Sequence, residues 1–204
     1  MGKISAVIFD LGGVYFVDGG KHVYNFLKET KNYDEQLLKK VLKSEMRKDA
    51  LRGKITDQNF WKWAKEILPS YYDIEFISRA YYDSYKQDED IKKLIIELRT
   101  KNYKIIAFSG NMKERLKFLQ DKYDFYKLFD TSIYSCEVGY TKPDSEFYET
   151  LVNSLGCTAE EAYFIDDQQH NVDYVLNRYN MKGCVYITGK IADLRENLKQ
   201  QGIL

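Results

Sequence analysis

Residues 7–14 have the sequence VIFDLGGV, in which an apolar run ends in an aspartate that two glycines follow closely. A short run that is apolar at consecutive positions is typical of a strand buried on both faces of a parallel sheet. Asp-x-Gly-Gly favours a tight turn, so the chain is expected to leave the sheet directly after Asp10. The segment predicts an α/β fold whose first strand carries a carboxylate at its carboxyl end.

The remaining apolar runs extend this pattern along the chain. With the first run, Ile4–Phe9, the predicted strands are Lys104–Phe108, Thr131–Tyr134, Ala162–Ile165 and Cys184–Ile187. Helical spacing of apolar residues predicts helices between the later strands, at Met112–Lys122, Ser145–Leu155 and Asn171–Tyr179. Repeated strand–helix–strand units imply right-handed crossovers. We therefore expect a Rossmann-like parallel sheet of about five strands with helices on both faces.

The connection between the first two predicted strands is far longer than one crossover needs. It contains patterns for helices over His22–Glu29, Asp34–Lys48, Thr56–Leu68, Ile74–Lys86 and Glu89–Thr100. We interpret residues 16–87 as a small helical cap inserted after the first strand. Residues 1–15 and 88–204 are then the α/β core domain.

Composition narrows the classes of partner. The chain has 204 residues, with 31 Lys and Arg against 31 Asp and Glu, so its formal net charge is zero. Neither nucleic acid nor an anionic membrane is expected as a partner, and we expect a monomer or a weak dimer. The three cysteines, Cys136, Cys157 and Cys184, form no CxxC pair, which favours reduced thiols and a cytoplasmic protein.

Ligands of open parallel sheets bind beyond the carboxyl ends of the strands. The residues expected at that rim are Asp10, the segment Ser109-Gly110-Asn111, Lys142 and the pair Asp166-Asp167. Singly, most have simpler explanations, such as a turn, a helix cap or a surface lysine. Adjacent carboxylates, however, repel each other unless a cation or hydrogen-bond donors attend them. Together these side chains are suited to bind a phosphate and a divalent cation.

In this order, the residues resemble the four motifs of the haloacid dehalogenase-like hydrolases. The four segments are VIFDLGGV (7–14), IIAFSGN (105–111), TKPDSEFY (141–148) and YFIDDQQHN (163–171). The inserted helices are similar to the family's small cap type. Together with RGKIT at 52–56, the first and last motifs resemble a bacterial subgroup of sugar-phosphate phosphatases that includes glucose-1-phosphate phosphatases.

The resemblance implies a Mg²⁺-dependent phosphatase acting on a small phosphorylated metabolite, with a sugar phosphate as the expected substrate. Asp10 would be the nucleophile and would form an aspartyl-phosphate. The implied magnesium ligands are Asp10, the carbonyl of Gly12, Asp167 and, directly or through water, Asp166. The phosphate would contact Ser109, the amides of Gly110 and Asn111, Gly12 and Lys142, and Asn171 would support the Asp166 loop.

One position departs from the family pattern. Most phosphatases of this family carry a second aspartate, the general acid/base, where this chain has Gly12. One explanation is a leaving group that needs little protonation, as an anomeric sugar oxygen would. Another is that a different residue donates the proton. The candidate donors are Asp18, His22, Asp49 and Arg52. A third explanation is a non-catalytic protein that binds phosphorylated ligands.

A dehalogenase is the enzymatic rival, because a departing halide needs no proton and the reaction needs no cation. Magnesium dependence discriminates between these two activities.

Two features near the predicted cap have alternative explanations. Residues 39–54 contain seven Lys and Arg, which form either a solvated helix face or a surface that attracts an anionic substrate. Tyr15 and Phe16 follow the first motif, where they are expected either to pack in the core or to line the substrate pocket.

Overall fold

A computed structural model describes residues 3–17 and 19–204 of the chain. The strands are β1 Ala6–Phe9, β2 Phe16–Val17, β3 Lys86–Gln87, β4 Lys104–Ser109, β5 Thr131–Tyr134, β6 Ala162–Asp166 and β7 Lys182–Val185. The helices are α1 Gly19–Lys31, α2 Glu35–Leu42, α3 Glu45–Leu51, α4 Asp57–Ile67, α5 Ile74–Asp83, α6 Glu89–Thr100, α7 Lys113–Tyr123, α8 Ser135–Val138, α9 Ser145–Ser154, α10 Gln169–Tyr179 and α11 Ile191–Gln200.

Five strands form a parallel sheet in the order β5-β4-β1-β6-β7. Alternate strand residues face opposite sides, so Val7 packs with α6, α7 and α11 on one face. Ile8 packs with α9 and α10 on the other face. The predicted α/β sheet with helices on both faces is confirmed, although β7 begins at Lys182, two residues before the predicted strand.

Helices α1 to α5 form a second layer with a hydrophobic cluster of their own. The antiparallel pair of β2 and β3 joins the two ends of this helical segment, with Phe16 opposite Gln87. The predicted single helix over Asp34–Lys48 is wrong. The Ser44 hydroxyl accepts the Arg47 N–H at 3.1 Å and so begins a new helix, as N-cap serines do.

The aromatic residues that follow the first motif belong to the core. Tyr15 and Phe16 are fully buried, and the Tyr15 hydroxyl donates to the Gln87 side chain at 2.7 Å. The alternative in which they line a substrate pocket is therefore wrong. Among the described helices, none combines the length and the hydropathy that crossing a lipid bilayer requires.

Candidate active site

The predicted rim residues meet around one ammonium group. Lys142 Nζ lies 2.9 Å from Asp10 Oδ1, after β1, and 2.7 Å from Asp166 Oδ2, at the end of β6. Asp167 completes a group of three carboxylates whose nearest oxygens lie within 4.8 Å of one another. Because β1 and β6 are parallel neighbours, their carboxyl ends bring these side chains to the same edge of the sheet.

The turn after β1 brings Asp10 and Asp167 together. The Phe16 N–H donates to the Leu11 carbonyl and the Gly13 N–H to the Phe16 carbonyl, both at 2.7 Å. Gly13 has φ +82°, and a Cβ placed there would lie 2.5 Å from Asp167 Oδ2. Any side chain at this position would be strained and would also displace the carboxylate, which accounts for the second glycine of the motif.

Asp166 is held by hydrogen bonds on both oxygens. Its Oδ1 accepts the Gln168 N–H at 2.9 Å and the Asn171 Nδ2 at 2.8 Å, while Oδ2 faces Lys142. Asn171 is in turn fixed by the Tyr148 hydroxyl at 2.8 Å. The prediction that Asn171 supports this loop is confirmed. Because the Gln168 N–H and the Asn171 amide hold the Asp166 carboxylate in place, Asp166 is suited to orienting Lys142.

The donor set of this rim fits a hard divalent cation. Asp10, Asp166 and Asp167 offer carboxylate oxygens, which suit Mg²⁺, Ca²⁺ or Mn²⁺. The three carboxylates outnumber Lys142, the cation that Asp10 and Asp166 share. Among the described residues the Gly12 carbonyl accepts no hydrogen bond and remains available as a further oxygen ligand. Asp10, Asp167 and the Gly12 carbonyl are therefore the residues that would hold the metal.

Electrostatics at Asp10 reflect this crowding. Burial raises the pKa of the Asp10 carboxyl to about 7, the Lys142 charge opposes the rise, and the Asp166 and Asp167 charges add to it. The two neighbouring carboxylates raise the pKa of the Lys142 ammonium, although burial alone would lower it. In the metal-free protein Lys142 therefore stays charged. Ionisation of Asp10 is opposed by its burial and by the two neighbouring carboxylates.

A pH-dependent stability follows for the metal-free protein. The folded chain binds a proton at Asp10 up to about pH 7, whereas the unfolded chain loses it near pH 4, so stability falls as pH rises through that interval. We expect Asp10→Asn to raise the melting temperature by a few degrees at pH 8 in EDTA, and by less at pH 5. Adding Mg²⁺ should narrow the difference at pH 8 by stabilising the wild type. Thermal denaturation under the four conditions tests this, and a variant less stable than wild type at pH 8 in EDTA would contradict it.

The segment after β4 lies at the same rim. Ser109 and Asn111 are almost completely buried, and the Asn111 N–H donates to the Ser135 hydroxyl at 3.0 Å. The expectation that this N–H faces the phosphate is therefore wrong. The Asn111 Nδ2, by contrast, is buried with no hydrogen-bond partner among the described residues. That side-chain amide is the donor that Asn111 can offer to a phosphoryl oxygen.

Gly12 is covered by a residue that the sequence did not indicate. A Cβ placed at Gly12 would lie 2.3 Å from the Tyr85 hydroxyl oxygen. The Tyr85 ring is held between Arg115, whose guanidinium carbon lies 3.6 Å from the ring centroid, and Phe16, stacked at 5.5 Å. Tyr85 thus fills the space into which an acid side chain at position 12 would extend. No motif marks Tyr85, because its role arises only from packing of the helical layer on the sheet.

The structure assigns other contacts to the candidate proton donors. Arg52 forms a bidentate ion pair, and Asp49 lies 3.9 Å from Lys54. His22 is exposed and lines an apolar groove with Phe26 and Phe76. Asp18 lies outside the described residues. None of the three described candidates forms an ion pair with Lys142 or acts on the Asp10 carboxyl.

Arg52 instead ties the helical layer to the loop that carries Lys142. Its Nε and Nη2 donate to the two Asp144 oxygens at 2.9 and 3.0 Å. Asp144 Oδ2 also accepts the Thr141 N–H at 3.0 Å. The fork of the guanidinium matches the carboxylate and fixes the loop in one orientation. Arg52 is thereby a positioning residue for Lys142.

Arg52→Gln is expected to lower kcat/KM by about tenfold, because a small displacement of a reacting group is costly. Asp144→Asn should have a similar effect, and the double variant should be little worse than either single one. Lys48→Gln, at an exposed lysine of α3, serves as the matched control. Steady-state kinetics on all four variants test the role of the Arg52–Asp144 ion pair. If the losses of kcat/KM in the two single variants add up in the double variant, the two residues act independently.

The chain matches a family model over most of its length. A family model described as haloacid dehalogenase-like hydrolase matches residues 4–173. An uncharacterized Dictyostelium discoideum protein is 41% identical over 150 residues, which are 72% of this chain and 65% of that protein. The chain therefore spans about two-thirds of that relative's length.

Two of the relatives are named as phosphatases. A sesquiterpene phosphatase from Aspergillus oryzae is 27% identical over 168 residues, which are 82% of this chain and 82% of that protein. A phosphorylated carbohydrates phosphatase from Thermotoga maritima is 25% identical, over 83% of this chain and 79% of that protein.

Among solved structures, a HAD family enzyme from Bacteroides thetaiotaomicron, in complex with magnesium and inorganic phosphate, superposes with a TM-score of 0.77. It is 20% identical, and the match covers 94% of this chain and 98% of that one, so it supports the fold.

Proposed function

Because the chain belongs to the haloacid dehalogenase-like hydrolase family, we propose that it is a Mg²⁺-dependent phosphatase of small phosphorylated metabolites. The observation that carries the proposal is the cluster of Asp10, Lys142, Asp166 and Asp167. It combines a carboxylate nucleophile, a fixed ammonium and a set of oxygen ligands for a cation. The proposed division into a core, residues 1–15 and 88–204, and a cap, 16–87, places the cluster in the core and substrate selection in the cap.

The reaction proceeds through Asp10 in two displacements. A carboxylate oxygen of Asp10 attacks phosphorus, the bond from phosphorus to the substrate oxygen breaks, and the leaving alkoxide takes up a proton. Water then attacks the aspartyl-phosphate at phosphorus, which releases inorganic phosphate and restores the Asp10 carboxylate. Lys142 neutralises charge on the phosphoryl group and on Asp10, while Ser109, Gly110 and the Asn111 side chain orient the phosphoryl oxygens. A bound Mg²⁺ supplies Lewis-acid stabilisation of the same charge.

The substrate that suits this site is an ester with a good leaving group. The position of the family's general acid is Gly12, and Tyr85 covers it. General acid catalysis is typically worth about 10²–10⁴-fold, so an enzyme without it favours esters whose leaving group needs less protonation. The anomeric oxygen of a sugar phosphate meets this requirement. We therefore propose a sugar 1-phosphate as the substrate class.

Release of inorganic phosphate, with Mg²⁺ and with excess EDTA, tests the function. The panel contrasts glucose 1-phosphate with glucose 6-phosphate, and it includes farnesyl phosphate because one relative is a sesquiterpene phosphatase. Mg²⁺-dependent turnover that favours glucose 1-phosphate is expected. Equal turnover of both glucose esters would point to a substitute proton donor. A preference for farnesyl phosphate would show that the substrate class is a phosphate ester of an apolar alcohol and not a sugar phosphate.

Two rival functions predict different results in the same assay. A dehalogenase would release halide from 2-chloropropionate without a metal and would leave all phosphate esters intact. A non-catalytic ligand-binding protein would bind phosphate esters but release no phosphate. The crowding of Asp166 and Asp167 beside Asp10 favours the phosphatase, because a cation relieves the repulsion.

A further inference from the structure

A cavity of about 600 Å³ lies between α1, α2, α3, α5 and α7, and Tyr85 is one of its lining residues. Tyr85 lines the cavity while its hydroxyl lies against Gly12, so this space adjoins the rim that holds Asp10. Its walls carry the aromatic rings of Tyr24 and Tyr81 and four cationic side chains. These cations are Lys39, Lys43, Arg47 and Arg115.

Within the described residues, three of the four cations form no ion pair with a carboxylate. Lys39 is paired with Glu35, the acidic residue of the cavity wall. Within residues 3–17 and 19–204, neither Lys43, Arg47 nor Arg115 has a carboxylate oxygen within 4.0 Å. The cavity thus concentrates positive charge that the described part of the chain does not neutralise.

Arg115 is buried and has an unused hydrogen-bond donor. Its side chain is only 3% exposed, and its guanidinium stacks on Tyr85 and lies 4.2 Å from the Tyr81 ring centroid. One amino group donates to the Ser84 hydroxyl at 3.0 Å, but Nε is buried with no hydrogen-bond partner among the described residues. A desolvated guanidinium with an unused donor is costly unless an anion accepts from it.

Arg47 extends the same positive surface. Its Nε donates to the Tyr81 hydroxyl at 3.0 Å, which fixes the guanidinium beside the cavity. Burial by itself would raise the pKa of the Tyr81 phenol, yet the Arg47 and Arg115 charges hold that pKa below its ordinary value. The local field in this cavity therefore favours negative charge.

We propose that this cavity binds a second anionic group of the substrate, a carboxylate or a phosphate, separate from the phosphoryl group that Asp10 attacks. The inference rests on the proposed phosphatase function and makes its substrate class narrower: a phosphate ester whose leaving group is itself anionic. Arginine forks are suited to both oxyanions, so the shared chemistry is a planar or tetrahedral oxyanion.

Three sugar esters with the same anomeric phosphate test the proposal: glucose 1-phosphate, glucuronic acid 1-phosphate and glucose 1,6-bisphosphate. They differ at C6, which carries a hydroxyl, a carboxylate or a phosphate. We expect kcat/KM to favour at least one charged ester by about 10- to 100-fold, the range for hydrogen bonds to charged groups. Preference for the glucuronic acid ester identifies a carboxylate site, and preference for the bisphosphate identifies a phosphate site.

Substitutions in the cavity test whether its cationic residues cause the preference for charged esters. Lys43→Gln and Arg47→Gln are expected to lower the charged-to-neutral ratio of kcat/KM by about tenfold each. Lys43 is exposed and can be replaced without disturbing the packing, which protects the test if Arg115→Gln fails to fold. Lys40→Gln, at an exposed lysine of α2 outside the cavity, is the matched control and should leave the ratio unchanged. Equal kcat/KM for the three esters, or a preference that survives both substitutions, would overturn the proposal.

Binding separates this inference from the function on which it rests. Calorimetric titration of the Asp10→Asn variant with the same three esters, in Mg²⁺, measures affinity without turnover. Tighter binding of a charged ester supports the cavity even if no ester is hydrolysed, an outcome that would defeat only the phosphatase proposal. Equal affinity for all three, or no binding, would reject the anion site whatever the kinetics show.

Discussion

Asp10→Asn is expected to reduce phosphate release by about 10⁴-fold or more, because the variant has no oxygen nucleophile of comparable strength. Asparagine has nearly the same shape as aspartate, and Asp166 still accepts from Lys142 at 2.7 Å, so the rim should keep its arrangement. The decisive comparison is kcat on glucose 1-phosphate in Mg²⁺, with circular dichroism to establish folding. Asp121→Asn, at an exposed carboxylate of α7, is the control.

The same variant also tests the covalent step. Rapid acid quenching of the wild type during turnover should leave a phosphorylated peptide that contains residue 10, and mass spectrometry should find none in Asp10→Asn. Turnover retained within about tenfold of wild type would remove Asp10 from the role of nucleophile. If the variant loses turnover because it is unfolded, the carboxylate is needed for folding, and the similar shape of asparagine is not enough to preserve the rim.

Lys142→Ala is expected to lower kcat by about 10²–10³-fold, the range observed when one preorganised electrostatic group is removed. Lys142 Nζ bridges Asp10 and Asp166, and its side chain is only 12% exposed. Without it, two carboxylates face each other in a poorly solvated site. We expect a further rise in the pKa of Asp10 in the metal-free protein.

The stability of the Lys142 variant separates catalysis from folding. Removing one partner of a buried ion pair typically costs about 3–5 kcal/mol of unfolding free energy. Mg²⁺ should recover part of that loss, because the cation balances the carboxylates, whereas kcat should stay low. Lys117→Ala, at an exposed lysine of α7, is expected to match the wild type in both measurements. Near-normal turnover in Lys142→Ala would return this residue to an ordinary ion-pair role.

Gly12 and Tyr85 are best explained together. A glycine at position 12 gives up the acid side chain of most family phosphatases, and the Tyr85 hydroxyl occupies the space. The Tyr85 ring also stacks on Arg115 and lines the cationic cavity. Tyr85 therefore contacts both the position of the missing acid and the proposed anion site.

The sheet and the residues at its rim could be predicted from the amino-acid pattern. Apolar runs such as Val7–Phe9 and Ala162–Ile165 are recognisable because strands buried on both faces exclude polar residues. Parallel strands align their carboxyl ends, so Asp10, Ser109 and Asp166 had to meet once the strand order was fixed.

The contacts between distant segments could not be predicted in this way. Tyr85 against Gly12, Arg52 with Asp144, and the Asn111 N–H with Ser135 depend on how the helical layer and the loops pack on the sheet. No periodicity or motif records such pairings, since each residue type is common on its own. The basic residues of α2 and α3 illustrate the difference. Their number was visible in the sequence, but the cavity that gathers Lys43, Arg47 and Arg115 exists only because α7 packs beneath them.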